Sequence, residues 1–396
     1  MKSLRHAVAI AVPALLAVGA AVAAVTAGAV FATARRVVMP SIRRNDTQIL
    51  AVDTGAQTIE LTRTPDTELP GRYGLFTSGT YDYVKLGAVL SADAAKVRRK
   101  LLTQIEPGAQ VDRDAAFSGW YYVTPGELHL PWESVSIGSP AGPCPAWFFP
   151  ASVESPTASA DTWVIQVHGR GTTRSECLRA VPVFHGMGLP TLVVSYRNDG
   201  EAPRSRGGSY ALGASEWRDV DAAIEYALRH GAARVVLMGW SMGGAIALQT
   251  AVSSEHRSQI AALVLDSPVV DWRTVLRFQA REQGLREPLP ALAMGVLENG
   301  FTARLSGAEE AIAFDRLDMV ARASELEAPI LILHSDEDGF VPADASHALA
   351  AARPDLVTMP SFSVARHTKL WNYDQSGWTK AIVEWMTAHG LGASGS

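Results

Sequence analysis

Cysteine and charge are scarce in this sequence of 396 residues, and each scarcity excludes a class of protein. Two cysteines are too few for a disulfide framework or a cysteine-rich zinc site. The formal net charge is −5, and no basic block beyond the N-terminus could follow a phosphate backbone, so we expect no nucleic-acid partner. With 47% hydrophobic and 19% charged residues, the composition is that of a folded globular protein.

A long uncharged run marks the N-terminus. Residues 7–34 contain no Asp, Glu, Lys or Arg, and as a helix they would measure about 42 Å, more than the roughly 30 Å of a bilayer's hydrocarbon core. The run therefore predicts a membrane helix within residues 1–40. The alternative is a cleaved signal peptide, because Ala32-Thr33-Ala34 fits the A-x-A cleavage pattern.

The orientation of this segment has arguments on both sides. The positive-inside tendency would keep the body of the protein in the cytoplasm, because four arginines follow the run: Arg35, Arg36, Arg43 and Arg44. Export is the commoner role of such a segment, and Cys144 and Cys177 could form one disulfide in an oxidising compartment, although both could equally stay reduced. We expect a membrane-anchored chain with its body outside the cytoplasm; secretion after cleavage and a cytoplasmic body are the alternatives.

Residues 41–125 are predicted to form an accessory β-rich region. Short β-prone runs at 58–62, 81–86 and 119–123 are separated by proline and glycine, and a helix is expected over 92–104. This stretch contains no chemical motif.

From residue 126 to 392 the pattern changes to strands that alternate with amphipathic helices. This alternation predicts an α/β fold in which helices cover both faces of a mostly parallel sheet. The predicted strands are nearly continuous apolar runs at 162–167, 191–195, 235–238, 261–265 and 330–333.

The most specific motif follows the third of these runs. Gly239-Trp-Ser241-Met242-Gly243 is a Gly-x-Ser-x-Gly sequence between a strand and a helix. Only glycine at both flanks permits so sharp a turn, which raises the Ser241 hydroxyl above the sheet. The backbone N–H of Met242 then lies at a helix N-terminus, where it can donate to a developing oxyanion. The alternative is a glycine-rich turn with an incidental serine.

With this motif, the chain from about 132 to 389 resembles the α/β-hydrolases, in particular serine esterases and lipases. The resemblance implies an eight-stranded, mostly parallel sheet, a nucleophile after the fifth strand, an acid after the seventh and a histidine after the eighth. It maps the acid onto Asp338, with Asp336 as the alternative, although Ser335 stands where the family usually has glycine. It maps the histidine onto His367, so that Ser241, Asp338 and His367 are the expected catalytic triad.

The same resemblance implies a second oxyanion donor in His168-Gly169-Arg170-Gly171, directly after the run 162–167. The backbone N–H of Arg170 would join that of Met242, with Gly169 shaping the loop. An ordinary glycine-rich loop is the alternative, and the Arg170 side chain could also meet an anionic substrate group. Residues 271–315 form an insertion of helical and apolar character, expected to cover the site as a lid or simply to pack on the sheet.

These residues together predict a serine hydrolase that cleaves small-molecule or lipid-like carboxylic esters through an acyl-enzyme, with no cofactor and no metal. A serine peptidase of the prolyl-oligopeptidase branch is the alternative, but residues 41–125 are far too few for the propeller usual there. A non-catalytic binding member of the fold is the third possibility.

Overall fold

The structure is a computed structural model, and three parts follow one another along it: an N-terminal helix, a barrel and an α/β domain. Residues 41 and 42, at the predicted start of the accessory region, and the flanking Arg44 lie outside the described residues. The structure describes residues 2–40, 43, 45–152 and 161–392, with side chains from residue 20 onward.

Helix α1 (Lys2–Val38) has 37 residues and is about 55 Å long. Its segment Ala20–Val38 is long and apolar enough to cross a membrane, and residues 20–29 are exposed. Val30, Ala34 and Val38 are four residues apart and therefore share one face of the helix. All three are buried in the core of the α/β domain, so the last turns of the helix belong to the body of the protein.

Six antiparallel strands close into a barrel in the order β1-β2-β5-β4-β3-β6 around a core of aliphatic and aromatic side chains. A closed barrel leaves no unpaired strand edge, so this small unit exposes little backbone. The strands are β1 (Thr47–Asp53), β2 (Thr58–Thr62), β3 (Tyr73–Phe76), β4 (Tyr83–Ala92), β5 (Lys96–Leu101) and β6 (Asp114–Ser118).

Two of the predictions for this region are wrong. The helix expected over 92–104 is strand β5, in which Val97, Arg99 and Leu101 alternate inward. The buried Arg99 hides the alternation of inward apolar and outward polar residues, because a charged residue is not expected to point inward. Its guanidinium donates to four backbone carbonyls. Residues 119–123 form no strand, because their aromatic side chains pack where the barrel meets the α/β domain.

The α/β domain contains a nine-stranded sheet that is parallel except at the strand Gly142–Phe149, which is antiparallel to both of its neighbours. A mostly parallel sheet confirms the expected fold class. The strands are β7 (Glu133–Ser139), β8 (Gly142–Phe149), β9 (Thr162–Val167), β10 (Thr191–Val194), β11 (Arg234–Trp240), β12 (Ile260–Asp266), β13 (Ile330–Ser335), β14 (Val357–Thr358) and β15 (Ser361–Phe362). Their order is β7-β8-β10-β9-β11-β12-β13-β14, with β15 also on β13.

The ninth strand arises because the expected eighth strand is divided. β14 and β15 both pair with β13, and Pro360 lies between them. Proline has no N–H to donate to a ladder, so pairing stops there and resumes one residue later.

Helices cover both faces of the sheet, because successive side chains along each strand point to opposite faces. Ile165 faces the core shared with α1, α3, α4 and α6, whereas Val164 faces the core shared with α2, α9 and α10. The helices are α2 (Val181–Gly186), α3 (Trp217–Arg229), α4 (Met242–Ser253), α5 (Trp272–Glu282), α6 (Leu289–Glu298), α7 (Gly300–Ser306), α8 (Asp344–Ala352), α9 (Leu370–Tyr373) and α10 (Gln375–Ala388).

The two cysteines are free and buried, so the disulfide considered for them does not form. The Cys144 thiol lies 3.3 Å from the Ser139 hydroxyl, and burial raises the pKa of Cys144 to about 11. Cys177 is buried in the core beneath the other face of the sheet. The thiols therefore give no support to an oxidising compartment.

Candidate active site

Ser241 lies on a sharp turn between β11 and α4. Its backbone has φ 51° and ψ −116°, a conformation that residues other than glycine rarely adopt. A β-carbon at Gly239 would collide with the carbonyl oxygen of Gly243, and one at Gly243 would collide with the carbonyl oxygen of Val167. The two glycines are therefore required because backbone passes directly against both positions.

The structure brings Ser241, His367 and Asp338 together, although they lie 126 and 29 residues apart in the chain. His367 Nε2 is 2.9 Å from Ser241 Oγ. Its Nδ1 is 2.7 Å from Asp338 Oδ2. The imidazole thus bridges the hydroxyl and the carboxylate through its two nitrogens.

The Asp338 carboxylate is buried and fully engaged. Its Oδ1 accepts hydrogen bonds from the backbone N–H groups of Phe340 and Val341, both at 2.9 Å. Its Oδ2 faces His367 and also lies 3.3 Å from His334 Nε2. Burial alone would raise the pKa of Asp338, but the imidazoles of His367 and His334 outweigh it and hold the pKa well below its ordinary value. Asp338 is therefore an anion at neutral pH.

The alternative acid and the neighbouring histidine lie elsewhere. Asp336 is exposed and contacts His347 at 2.7 Å, away from the imidazole of His367. His334 is buried, and its ring nitrogens contact Ser346 Oγ and the carbonyl oxygen of Val341. Asp336 therefore takes no part in this cluster, whereas His334 supports the turn that carries Asp338.

The loop 168–171 lies directly beside the serine. A β-carbon at Gly169 would stand 3.3 Å from Ser241 Cβ, and the Gly169 N–H donates to Glu176 Oε2 at 2.8 Å. At the start of the loop, the His168 ring stacks on the Tyr196 ring, and its Nε2 contacts Asp199 at 3.1 Å. Glu176, which no motif in the sequence marks, is buried and fixes the backbone of this loop.

No metal site accompanies this cluster in the part of the chain that the structure describes. There, no group of three His, Cys, Asp or Glu side chains is arranged to hold a metal ion.

Comparison with known families gives two matches. The sequence model of the prolyl oligopeptidase family matches residues 183–390, which is more than half of the chain and includes the serine, the aspartate and the histidine. The chain belongs to the prolyl oligopeptidase family. It accordingly has the α/β-hydrolase fold. A domain of unknown function (DUF8805) matches residues 48–118, which are the barrel.

Individual relatives are more distant. The uncharacterized protein Rv2307c of Mycobacterium tuberculosis is 25% identical over 210 residues, which cover 52% of this chain and 61% of that protein. The match thus spans about three fifths of the relative's length. Esterase Pf2001 of Pyrococcus furiosus superimposes in two crystal forms with TM-scores of 0.52 and 0.51, at 16% and 17% identity. The alignments cover 68% and 67% of this chain and 94% and 96% of the esterase, which shows the shared fold.

In this prolyl oligopeptidase family member, the Arg170 side chain contacts the end of α1. Its Nη2 donates to the carbonyl oxygens of Arg36 and Met39 at 2.8 and 2.6 Å, where α1 ends. The Tyr210 N–H donates to the carbonyl oxygen of Val38 at 2.8 Å. These bonds place Nη2 of the guanidinium on the C-terminal carbonyls of the helix, so they give no support to a contact between the Arg170 side chain and a substrate anion.

Two side chains hold the backbone of Thr368, the residue that follows His367. Ser267 Oγ accepts a hydrogen bond from the Thr368 N–H at 3.1 Å, and Arg179 Nη1 donates to the Thr368 carbonyl at 2.7 Å. Ser267 in turn donates to the buried carboxyl of Asp266, whose pKa burial raises. These contacts fix the backbone beside the imidazole.

The barrel reaches the same loop through Asn372, which is buried. Arg179 Nη1 donates to Asn372 Oδ1 at 2.8 Å, and Asn372 Nδ2 donates to the carbonyls of Arg72 and Gly119 in the barrel region at 2.7 and 2.9 Å. Gly119 is required here, because a β-carbon would stand 2.9 Å from the Thr368 carbonyl. No motif marks Arg179 or Asn372, so a single sequence gave no signal for this clamp.

Proposed function

We propose that this chain is a membrane-anchored serine esterase that hydrolyses carboxylic esters through Ser241, His367 and Asp338. The observation that carries the proposal is the continuous path of hydrogen bonds from Ser241 Oγ through His367 to the Asp338 carboxylate. A free serine hydroxyl is a poor nucleophile at neutral pH, and such a path is the arrangement that activates it.

In the proposed mechanism His367 moves the proton. Its Nε2 takes the proton of Ser241 Oγ as that oxygen attacks the ester carbonyl carbon, and Asp338 stabilises the imidazolium that forms. Collapse of the tetrahedral intermediate breaks the bond to the alcohol, which receives the proton from Nε2. Water then attacks the acyl-enzyme, again giving its proton to His367, and the acid is released as Ser241 regains its hydrogen.

Two backbone N–H groups are proposed to stabilise the oxyanion. Met242 is the first residue of α4, and its N–H has no acceptor within the helix because no helical residue precedes it. The N–H of Arg170 lies in the loop beside Ser241. Loss of one such donor lowers turnover about 10²–10³-fold in well-studied hydrolases.

The position of the site favours an ester of small or lipid-like kind. Arg170 joins the loop beside Ser241 to the last turn of α1, so the site lies next to the end of the candidate membrane helix. The Phe340 ring lies 5.2 Å from the imidazole of His367 and is half exposed, which gives the site an apolar border. Both features suit a substrate with an apolar acyl group.

A serine peptidase is the second candidate, because the matching family model is that of the prolyl oligopeptidases. The nucleophile and proton carrier would be the same, with an amine as the leaving group. The barrel of β1 to β6 stands before the α/β domain and is built from about 70 residues, which is small for a gate over a peptide substrate.

The proposal places the α/β domain outside the cytoplasm, since an N-terminal apolar segment commonly directs export. The arginines that follow the segment argue for the opposite orientation. Protease treatment of intact cells decides between them: digestion of the domain supports the proposal, and protection until the cells are lysed contradicts it.

Steady-state kinetics on two chromogenic substrates tests the function. We expect the purified full chain to hydrolyse p-nitrophenyl butyrate but not a proline-containing peptide p-nitroanilide. Ser241→Ala should abolish turnover, whereas Ser91→Ala, on the exposed face of the barrel, should leave it unchanged. Turnover of the anilide without the ester would favour the peptidase, and equal turnover by the Ser241→Ala variant would contradict both.

A further inference from the structure

Helix α6 exposes apolar side chains on a protein surface. Its ten residues carry a single charge, at Glu298. Ala293, Met294 and Leu297 face inward, so a helix of a water-exposed surface would carry polar groups on the other side. Instead the outward positions are Ala291, Leu292 and Gly295, and Leu292 is 47% exposed.

Helix α7 continues this surface. Phe301 is 73% exposed and Leu305 is 62% exposed, and their spacing of four places them on one side of the helix. Exposed Arg304 lies between them. We call Leu292, Phe301 and Leu305 with their helices, which pack on each other, the α6–α7 surface. Large apolar side chains exposed on adjoining helices indicate a contact with another apolar phase.

The candidate membrane helix packs directly against the two helices that carry this surface. α1 contacts both α6 and α7, and its buried residues Val30, Ala34 and Val38 share one core with Ala293 and Leu297. Arg35 Nη1 lies 3.4 Å from the Ser306 carbonyl at the end of α7. The two helices are therefore fixed at the level of residues 30–38 of α1.

A bilayer around α1 would have to end at residues 30–38 of the helix. Residues 30–38 are packed on protein, so only the part of α1 before them can lie in lipid, and Val22 and Val25 there are 61% and 74% exposed. About 20 helical residues span the roughly 30 Å hydrocarbon core, and the apolar run before residue 30 supplies that length. The α6–α7 surface then stands at the boundary between lipid and water.

We propose that the α6–α7 surface lies in the membrane interface beside α1, with Leu292, Phe301 and Leu305 among the acyl chains. The inference rests on the anchor in the proposed function and extends it, because it makes the bilayer a second partner of the domain. Exposed Arg304 suits the lipid phosphates at this depth.

Placing the α6–α7 surface in the membrane interface also connects the membrane to the site. α5 belongs to the same insertion as α6 and α7, and its Gln279 Nε2 donates to the Phe340 carbonyl at 3.2 Å. The Phe340 ring borders His367. The insertion thus extends from the proposed lipid contact to the edge of the site, which suits an ester drawn from the bilayer.

Site-directed fluorescence on the full chain in vesicles tests this inference. The two native cysteines are buried, so a maleimide fluorophore will react mainly with one introduced on the surface. Leu292→Cys, Phe301→Cys and Leu305→Cys report on the surface, and Val25→Cys reports on α1. Lys380→Cys is the matched control, because α10 covers the opposite face of the sheet and this side chain is 71% exposed. Each labelled protein is placed in phosphatidylcholine vesicles with and without a lipid that carries a shallow doxyl quencher.

We expect the doxyl lipid to quench the three α6–α7 probes about twofold or more, as for groups inserted roughly 5–10 Å below the surface, and to leave the Lys380→Cys probe unchanged. Quenching at Val25→Cys with none on α6 and α7 would overturn the inference and leave the anchor standing. Absence of quenching at Val25→Cys would remove the anchor and the inference with it. A concentration-dependent blue shift without quenching would show that a second copy covers the surface, which would also overturn it. Ester hydrolysis by the same samples reports on the serine centre separately.

Discussion

The two loops that meet at Ser241 are held by different parts of the molecule. The loop 168–171 is tied to the end of α1 through the guanidinium of Arg170. The loop after His367 is tied to the barrel through Arg179 and Asn372, which are both almost fully buried. We infer that the barrel sets the position of His367, the proposed proton carrier, whereas the proposed oxyanion side depends on where α1 ends.

The parts that hold the two loops lie largely outside the segment that matches the family. The match to the prolyl oligopeptidase family covers residues 183–390 and thus all three residues of the proposed triad. The barrel, α1 and the loop with Arg170 lie outside that match. The matched segment therefore carries the proposed triad, whereas the barrel and α1, which hold the two sides of the site, and the proposed second oxyanion donor lie outside it.

The largest effect should come from the centre that both loops serve. Asp338→Asn should lower kcat for ester hydrolysis about 10⁴-fold, because an amide cannot stabilise the imidazolium. Since the pKa of Asp338 is held well below its ordinary value, its carboxylate should stay ionised at pH values where an ordinary aspartate takes up a proton. Its protonation should therefore not steepen the acid limb of the wild-type profile of kcat/KM against pH beyond a slope of one. A slope of two, or an Asp338→Asn variant within tenfold of wild type, would contradict this.

On the barrel side, Arg179→Met should lower kcat about 10²-fold with little change in KM, because a loop displaced by about 1 Å misplaces the imidazole. It also leaves the carbonyl of Thr368 and the amide oxygen of Asn372 buried without this donor. Steady-state kinetics and thermal unfolding measure the two consequences separately.

Arg353→Met is the matched control for that change. Arg353 donates to the carbonyls of Ala323 and Leu326 at 2.8 and 2.6 Å, away from the site. Its loss should lower the melting temperature and leave kcat alone. If the two variants lose the same fraction of kcat, the barrel does not position His367.

On the helix side, Arg170→Met should lower kcat about tenfold, less than the loss of an oxyanion donor, because the backbone N–H remains but its support from α1 is gone. Arg174→Met is the control, since Arg174 lies four residues on and pairs with Glu201 instead of the helix. Kinetics on p-nitrophenyl butyrate compares them. Equal rates for the two variants would show that α1 does not influence the oxyanion side.

The smallest effect is expected at the second link between barrel and loop. Lys369 Nζ lies 3.1 Å from Asp66 Oδ1 in a partly exposed ion pair. Such pairs contribute about 0–1 kcal/mol, so Lys369→Met should change kcat less than about twofold. A loss as large as that of Arg179→Met would mean that surface charge, not the buried clamp, holds the loop.

The sequence predicts the parts of this molecule that rest on a local pattern. Gly239 and Gly243 mark a turn that nothing larger can make, and continuous apolar runs mark strands covered on both faces. Asp338 and His367 could be placed because the resemblance supplies their order after the strands. The hidden period of two in β5 shows the limit, since a buried arginine such as Arg99 reads as surface.

The supports of the site could not be predicted, because they depend on contacts between distant segments. Asn372 donates to Gly119 across 253 residues, and Arg170 reaches Arg36 across 134. Neither pair has a spacing or a composition that sets it apart in one sequence. Packing of α1 onto α6 and α7 is equally invisible, since an apolar helix looks the same beside lipid and beside protein.

Mapping of a covalent adduct tests the central claim most directly. The full chain is treated with a fluorophosphonate, digested, and the modified residue is located by mass spectrometry. We predict a single adduct on Ser241 that forms far more slowly in a folded His367→Ala variant and does not form in Ser241→Ala. An adduct on another serine, or undiminished labelling of Ser241→Ala, would contradict the account.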